Sequence, residues 1–447
     1  METLHGAEAL LWPGGLKPRP RIVRGEGVWL WDDVGRRYLD GIGGIHVNSI
    51  GHGVAEVADA IASQARKVAF AFGAHFTTDV QLELAERVVA MAPPGMARVH
   101  FVSGGSEATE VALQLARQYH LARGQPTRWR AIGRWHGYHG STVGALSVTG
   151  HLGRRRDYAP YLLDFPHISP PCGARCRLGR TDPSACLACA DELAVTIERE
   201  GPDTIAAFVA EPVVGTTAGA LVPPAGYYER IRQICDRYGV LFVADEVITG
   251  FGRTGRTFGI EHWRATPDLL TSAKGLSSGY APIGAVVVHE RVAAALERGR
   301  PDGYFVGYTF SGNPVSCAAA LAVQDYLARH RLVERCAAIG EQLKARLAAL
   351  GDRFESVGEV RGLGLLLGIE LVRDRATGAP FARRERVQER VVAAALAGGL
   401  AIVGGTGRGE GADGDHLLVT PPFVIDQAEC DQLVALLADA LGAAGLS

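Results

Sequence analysis

Lys274 stands in the run Thr271-Ser272-Ala273-Lys274-Gly275-Leu276-Ser277-Ser278-Gly279-Tyr280, between an apolar stretch and a glycine-rich turn. It is one of four lysines, with Lys17, Lys67 and Lys344, among 46 basic residues. Arginine carries nearly all the positive charge of this chain, so a lysine kept here points to chemistry that arginine cannot do. A lysine amine can lose its proton and attack a carbonyl to form an imine, and a guanidinium cannot. Upstream, Val240-Leu241-Phe242-Val243-Ala244 reads as a buried strand running into Asp245-Glu246-Val247. An acid at one strand end and an imine-forming lysine 29 positions later match the needs of a pyridoxal phosphate site. There the lysine anchors the aldehyde, and the acid keeps the pyridine nitrogen protonated so that the ring can draw electrons. The competing reading, a solvated loop lysine and a helix-capping aspartate, leaves the other motifs unexplained.

Ser103-Gly104-Gly105-Ser106-Glu107-Ala108 reads as a strand, a turn and a helix start. Gly105 and its neighbour let backbone N–H groups approach an anion, and Ser106 adds a hydroxyl at the positive helix end. In Trp135-His136-Gly137-Tyr138-His139-Gly140 an aromatic follows a strand and precedes a glycine turn, which suits Tyr138 to lie on a planar cofactor with His139 beside it. Alone, Tyr138 would serve equally as a half-buried core aromatic, and Gly-Ser turns before helices are common. Phe305-Val306-Gly307-Tyr308-Thr309-Phe310-Ser311-Gly312-Asn313-Pro314 offers one more hydroxyl, Thr309, before a helix.

These residues need rigid elements behind them, and the hydrophobic pattern supplies an α/β alternation. Val99–Val102 reads as a strand, followed by a helix over 107–121 with Ala108, Val111, Ala112, Leu115 and Tyr119 on one face. Ile205–Ala210 is a continuous apolar run, hence a strand covered on both faces. A helix over 227–238 feeds the 240–244 strand, two strands follow at 269–273 and 283–288, and an alanine-rich helix spans 314–329. Strands separated by helices imply a mostly parallel mixed sheet with ligands at its carboxyl ends. Residues 61–329 are therefore expected to form the large cofactor-binding domain. From about 330 the pattern changes to a tight strand pair at 357–362 and 363–371, a helix at 386–397 and a glycine-rich loop over 404–414. This reads as a smaller α+β domain, 330–447, joined by the N-terminal segment 1–60 through the hairpin Val28–Leu39 with its Asp32-Asp33-Val34-Gly35 turn.

The chain has 447 residues, of which 47% are hydrophobic and 21% charged, with a net charge of −2. That balance gives no sign of nucleic-acid or acidic-membrane partners, and no run approaches the ~20 apolar residues of a membrane span. Eight cysteines are too few for a disulfide scaffold, and the expected location is cytoplasmic. Four of them, Cys172, Cys176, Cys186 and Cys189, fall in an insertion over 166–190 as C-x3-C-x9-C-x2-C. Two close thiol pairs could hold zinc, or the cysteines could pack locally; neither reading assigns a metal to the chemistry.

Taken in order, Gly105-Ser106-Glu107-Ala108, Tyr138-His139-Gly140, Glu211-Pro212-Val213, Asp245 to Arg253 and Ser272-Ala273-Lys274-Gly275 resemble the motifs of class III (omega) aminotransferases, which are fold type I pyridoxal phosphate enzymes. The resemblance runs from Trp29 to Val424. It implies that Lys274 forms the imine and performs the proton shift, that Asp245 pairs with the pyridine nitrogen, and that Val247 and Tyr138 sandwich the ring. It places Glu211 near the ring hydroxyl, supporting Asp245. It also implies an obligate homodimer with shared sites, in which Gly105 and Ser106 hold the phosphate from one subunit and Thr309 reaches it from the other. The implied reaction is ping-pong transfer of an amino group from a primary amine or omega-amino compound to a keto acid, aldehyde or ketone. Decarboxylating transamination, racemisation and aminomutase chemistry share this machinery, and a silent cofactor-binding protein is the remaining alternative. Members that accept 2-oxoglutarate often carry a glutamate after the Glu-Pro motif that parks a switchable arginine. Here Val214-Gly215-Thr216-Thr217-Ala218-Gly219 has no acid, so pyruvate is the expected acceptor. Arg408, in a lengthened glycine-rich loop before Gly414-Asp415-His416, is the arginine candidate. Ile45 stands where many amine-type members have tryptophan, which opens room for a bulkier donor. Trp12, Phe72, His75 and Phe76 are candidate pocket walls.

Overall fold

The computed structural model describes residues 19–171, 187–407 and 413–446. Trp12, Arg408 and three cysteines of the cluster, Cys172, Cys176 and Cys186, lie outside the described residues. Sixteen strands are described: β1 Ile22–Glu26, β2 Trp29–Asp32, β3 Arg37–Asp40, β4 Met96–Val102, β5 Arg130–Arg134, β6 His167–Ile168, β7 Ile205–Ala210, β8 Leu241–Asp245, β9 Leu269–Ser272, β10 Gly284–His289, β11 Val357–Leu363, β12 Leu366–Asp374, β13 Ala379–Pro380, β14 Leu400–Ala401, β15 Val403–Thr406 and β16 Asp415–Val419.

The largest sheet has seven strands in the order β4-β10-β9-β8-β7-β5-β6. β10 runs antiparallel to both its neighbours, while the β9-β8-β7-β5-β6 pairings are parallel. Strand alternation divides this sheet between two apolar layers. Phe208, Phe242, Ala244 and Leu270 face one core. Ala207, Val209, Leu241, Val243 and Leu269 face the other, with Ala108, Val111, Ala112, Leu115 and Tyr119 of the helix Gly105–Ala122. That explains why the strand sequences are apolar without a break: both faces are covered.

The two ends of the chain share the remaining structure. The hairpin β1-β2-β3 extends to β14, which lies parallel to β3 with Leu39 opposite Leu400. β11-β12-β16-β15 form a second antiparallel sheet, with β13 on β12. One core joins Val28, Leu39 and Ile50 to Leu343, Leu371, Leu417 and Leu437. The Asp32–Gly35 turn works as its residues suggest, with Asp32 accepting from the N–H groups of Val34 and Arg36 while Gly35 takes φ 83°.

The glycine-rich stretch from Gly404 departs from the expected loop, because Val403–Thr406 pairs with β16. Gly404 and Gly405 serve close packing. A Cβ on Gly405 would lie 2.3 Å from Nε2 of His416.

Candidate functional site

Asp245 ends β8 opposite Thr271 of the neighbouring parallel strand, so Asp245 and the Lys274 turn emerge side by side at the carboxyl edge of the sheet. Asp245 is buried and has two donors: the Val247 N–H to Oδ1 (3.0 Å) and His139 Nδ1 to Oδ2 (2.6 Å). His139 is buried too. Burial opposes its charged form, but the carboxylates of Glu211 and Asp245 outweigh that and raise its pKa above the usual 6.5. Nε2 of His139 lies 3.9 Å from Glu211. Glu211 follows β7 and accepts from the N–H of Tyr138 (3.1 Å), fixing the turn that carries the aromatic ring. Arg134, fully buried at the end of β5, donates to the Glu211 carbonyl at 2.5 Å. The Arg154 guanidinium sits 4.7 Å over the Tyr138 ring.

Lys274 has φ 36°, a conformation that L-residues rarely adopt, and such strain is characteristic of functional sites. Burial lowers its pKa from 10.5 to about 8; the charge of Arg253 adds to the effect, and Asp245 and Glu211 act against it. A lysine so tuned can give up its proton near neutral pH and act as nucleophile or base.

The Ser103–Ser106 turn opens an 18-residue helix, which leaves N–H groups and the positive end of the helix dipole at the same edge of the sheet. The Ser106 hydroxyl accepts from the N–H of Ser141 (3.2 Å). Gly140, at φ 137°, must be glycine, since a Cβ there would meet Ser106 Oγ at 2.6 Å. Gly105 packs on Val247, whose methyls a Cβ would meet at 2.9 and 3.1 Å, so the anion turn lies directly against a residue expected on the ring face. An anion turn, a half-buried aromatic, a buried acid with an imidazole behind it, and a lysine of lowered pKa thus converge at one sheet edge. This donor set fits pyridoxal phosphate.

The structure brings together Gly105, Ser106, Tyr138, His139, Glu211, Asp245 and Val247 beside Lys274. Thr309 is exposed on the segment between the helices Glu290–Gly299 and Pro314–Arg329, and among the described residues it makes no hydrogen bond to this group in the same chain. Phe72, His75 and Phe76 are likewise exposed. Cys189 is buried on the helix Ala188–Glu200, and among the described residues no group of three or more His, Cys, Asp or Glu could hold a metal ion. Sequence reasoning gave no role to two buried residues near Lys274. Arg253, though quoted within a motif, donates to the carbonyls of Asn48, Leu365, Thr420 and Pro421 and ties the chain's two ends to the site. His46 bonds to partners 170 and 374 positions away, and no local pattern could have flagged it.

The sheet order and this edge define a fold type I pyridoxal phosphate-dependent transferase. The family model for class-III aminotransferases matches residues 16–441. The chain is 36% identical over 428 residues to the putrescine–pyruvate aminotransferase of Pseudomonas aeruginosa, covering 93% of this chain and 89% of that protein. It is also 36% identical over 443 residues to the diaminobutyrate–2-oxoglutarate transaminase of Halomonas elongata, covering 97% and 92%. Among solved structures, the PLP-bound amine transaminase of an uncultivated Pseudomonas species is 38% identical, with TM-score 0.89 over 99% of this chain and 98% of that one. The chain belongs to the class III aminotransferases. It is a pyridoxal phosphate-dependent transaminase that acts on an amine donor and a carbonyl acceptor. Among the described residues no helix is long and apolar enough to cross a membrane.

Proposed function

We propose that the enzyme moves an amino group from a primary amine or omega-amino compound with a bulky apolar portion to pyruvate, or to an aldehyde or ketone, in preference to 2-oxoglutarate. The carrying observation is the engagement of the 214–219 loop. The Thr216 carbonyl bonds to His416 Nε2 at 2.6 Å, and the Ala218 and Gly219 carbonyls each accept from Arg361 at 2.9 Å. The Thr217 hydroxyl donates to the His136 carbonyl. The loop is held by cationic or neutral groups and contains no acid. An arginine serving a second carboxylate would have no partner there when an uncharged substrate arrives, and an unpaired charge in a closed site is costly. The related proteins differ in acceptor, pyruvate for one and 2-oxoglutarate for the other, so the family by itself leaves this choice open.

Within the site, the cofactor supplies an electron sink. Lys274 is assigned to bind its aldehyde and carry the proton, and Asp245, backed by His139, to hold the charge at the ring nitrogen. Val247 and Tyr138 take the ring faces, Gly105 and Ser106 take the phosphate, and Glu211 fixes the Tyr138 turn. We assign Thr309 to the phosphate of a second subunit. On its own segment Phe305 and Phe310 are exposed, Phe305 to 89%, and Phe310 meets the exposed Phe70 at 5.9 Å between ring centroids. An exposed aromatic patch of this kind is suited to burial in a homodimer. A cytoplasmic location rests on composition.

The deciding assay is the ratio of kcat/KM for pyruvate to that for 2-oxoglutarate with one common amine donor, in wild type and in Arg408→Ala. A ratio well above one supports the proposal. A preference for 2-oxoglutarate overturns it and leaves the aminotransferase assignment standing.

A further inference from the structure

The residues Gly43 to His46 form a turn in which every φ is positive: 54° at Gly43, 56° at Gly44, 65° at Ile45 and 65° at His46. Two consecutive non-glycine residues in the left-handed region, one of them β-branched, are held there against their intrinsic preference. One side of the turn is open. A Cβ on Gly44 would touch nothing within 4 Å, and Ile45 is 44% exposed. His46 lies on the other side and is buried.

The hydrogen bonds fix the state of that imidazole. The Thr420 hydroxyl donates to the Ile42 carbonyl (2.9 Å), so its oxygen accepts from His46 Nδ1 (2.8 Å). Nε2 is then the acceptor for the Thr216 hydroxyl (2.7 Å). The ring is a neutral Nδ1–H tautomer. Burial, with the nearby charges of Lys274 and Arg253, keeps its pKa well below 6.5. One directional chain, Thr216 to His46 to Thr420 to Ile42, therefore fastens three segments: the left-handed turn, the 214–219 loop and the end of β16. Backbone bonds secure the same turn, with the N–H groups of Val47 and Asn48 both donating to Gly43 at 2.8 Å.

We propose that His46 is a positioning residue that sets donor size: by bridging Thr216 and Thr420 it holds the strained turn so that Ile45 forms a fixed wall beside Lys274. This deepens the donor reading given above and rests on it. Ile45 supplies the contact with substrate, and His46 acts through it.

The test uses His46→Asn in the full-length, cofactor-loaded protein. Asparagine accepts the left-handed backbone more readily than other residues, so the turn's geometry is allowed while the reach to Thr216 is lost. The readouts are kcat/KM for benzylamine and for ethylamine in the amine half-reaction, and hydrogen exchange of the peptide spanning residues 40–50. The expected result is a change of about fivefold or more in the benzylamine-to-ethylamine ratio, carried mainly by KM, together with faster exchange at Val47 and Asn48. In an Ile45→Ala background the effect of His46→Asn on the ratio should largely vanish, because the two act as one unit. An unchanged ratio, an equal kcat loss for both amines, or full additivity with Ile45→Ala overturns the proposal. If His46→Asn does not fold, His46→Gly, which also accepts the left-handed backbone and makes no bridge, gives the same comparison. If wild type shows no half-reaction with any amine, the donor reading falls, and this inference falls with it.

Discussion

Replacing Lys274 by methionine should make the cofactor-free protein more stable while abolishing turnover. The cationic form of Lys274 is disfavoured in the fold, where its pKa is about 8 against 10.5 in free solution. Each pKa unit is worth about 1.4 kcal/mol, so holding this charge costs ~2–3 kcal/mol at pH 7 once its partial solvent access is allowed for. Methionine keeps the aliphatic stem and removes the ammonium. The sign follows from proton counting. Between pH 8 and 10.5 the unfolded lysine still holds a proton that the folded one has lost, so wild-type stability rises across that window. The advantage of the variant should thus be full below pH 8 and fall under ~1 kcal/mol by pH 10. With an unfolding entropy of ~1 kcal/mol/K for a chain of this size, the gain at pH 7 is a rise in Tm of about 2–3 °C. Differential scanning calorimetry of both cofactor-free proteins at pH 7 and 10 measures it. A variant no more stable at pH 7, or an advantage that grows with pH, would refute the reasoning. Substantial steady-state transamination by the variant would remove Lys274 from its assigned role.

Two other substitutions probe the cofactor contacts. Asp245→Asn removes the charge assigned to the ring nitrogen and one of the two carboxylates that raise the pKa of His139. Turnover should fall by about a hundredfold with cofactor still bound, and a rate within threefold of wild type would reassign the proton. Thr309→Ala should weaken cofactor retention by ~1–3 kcal/mol without loss of fold, measured by equilibrium dialysis. If Thr309 serves a second subunit, activity should decline as protein is diluted through the dimer dissociation range. A monomer fully active at nanomolar concentration sinks the shared site.

The chemistry was legible in the sequence because it depends on residue type at short spacing. A lysine in an arginine-rich chain, an acid closing an apolar strand and a Gly-Gly-Ser turn before a helix each state a local physical requirement. The elements Ile205–Ala210, Tyr227–Tyr238 and Pro314–Arg329 were also legible to the residue, since period and capping are local properties. What the tertiary structure decided depends on distant partners. Sheet order set β8 beside β9 and so placed Asp245 next to the Lys274 turn; burial there lowered the lysine's pKa, and the Asp245–Glu211 pair raised that of His139. No sequence period shows that Gly405 must admit His416, or that His46 meets Thr216 and Thr420. Those contacts join the beginning, middle and end of the chain. The sequence named the groups to which the chemistry is assigned, and the packing of remote segments shifted their pKa values and shaped the space around them.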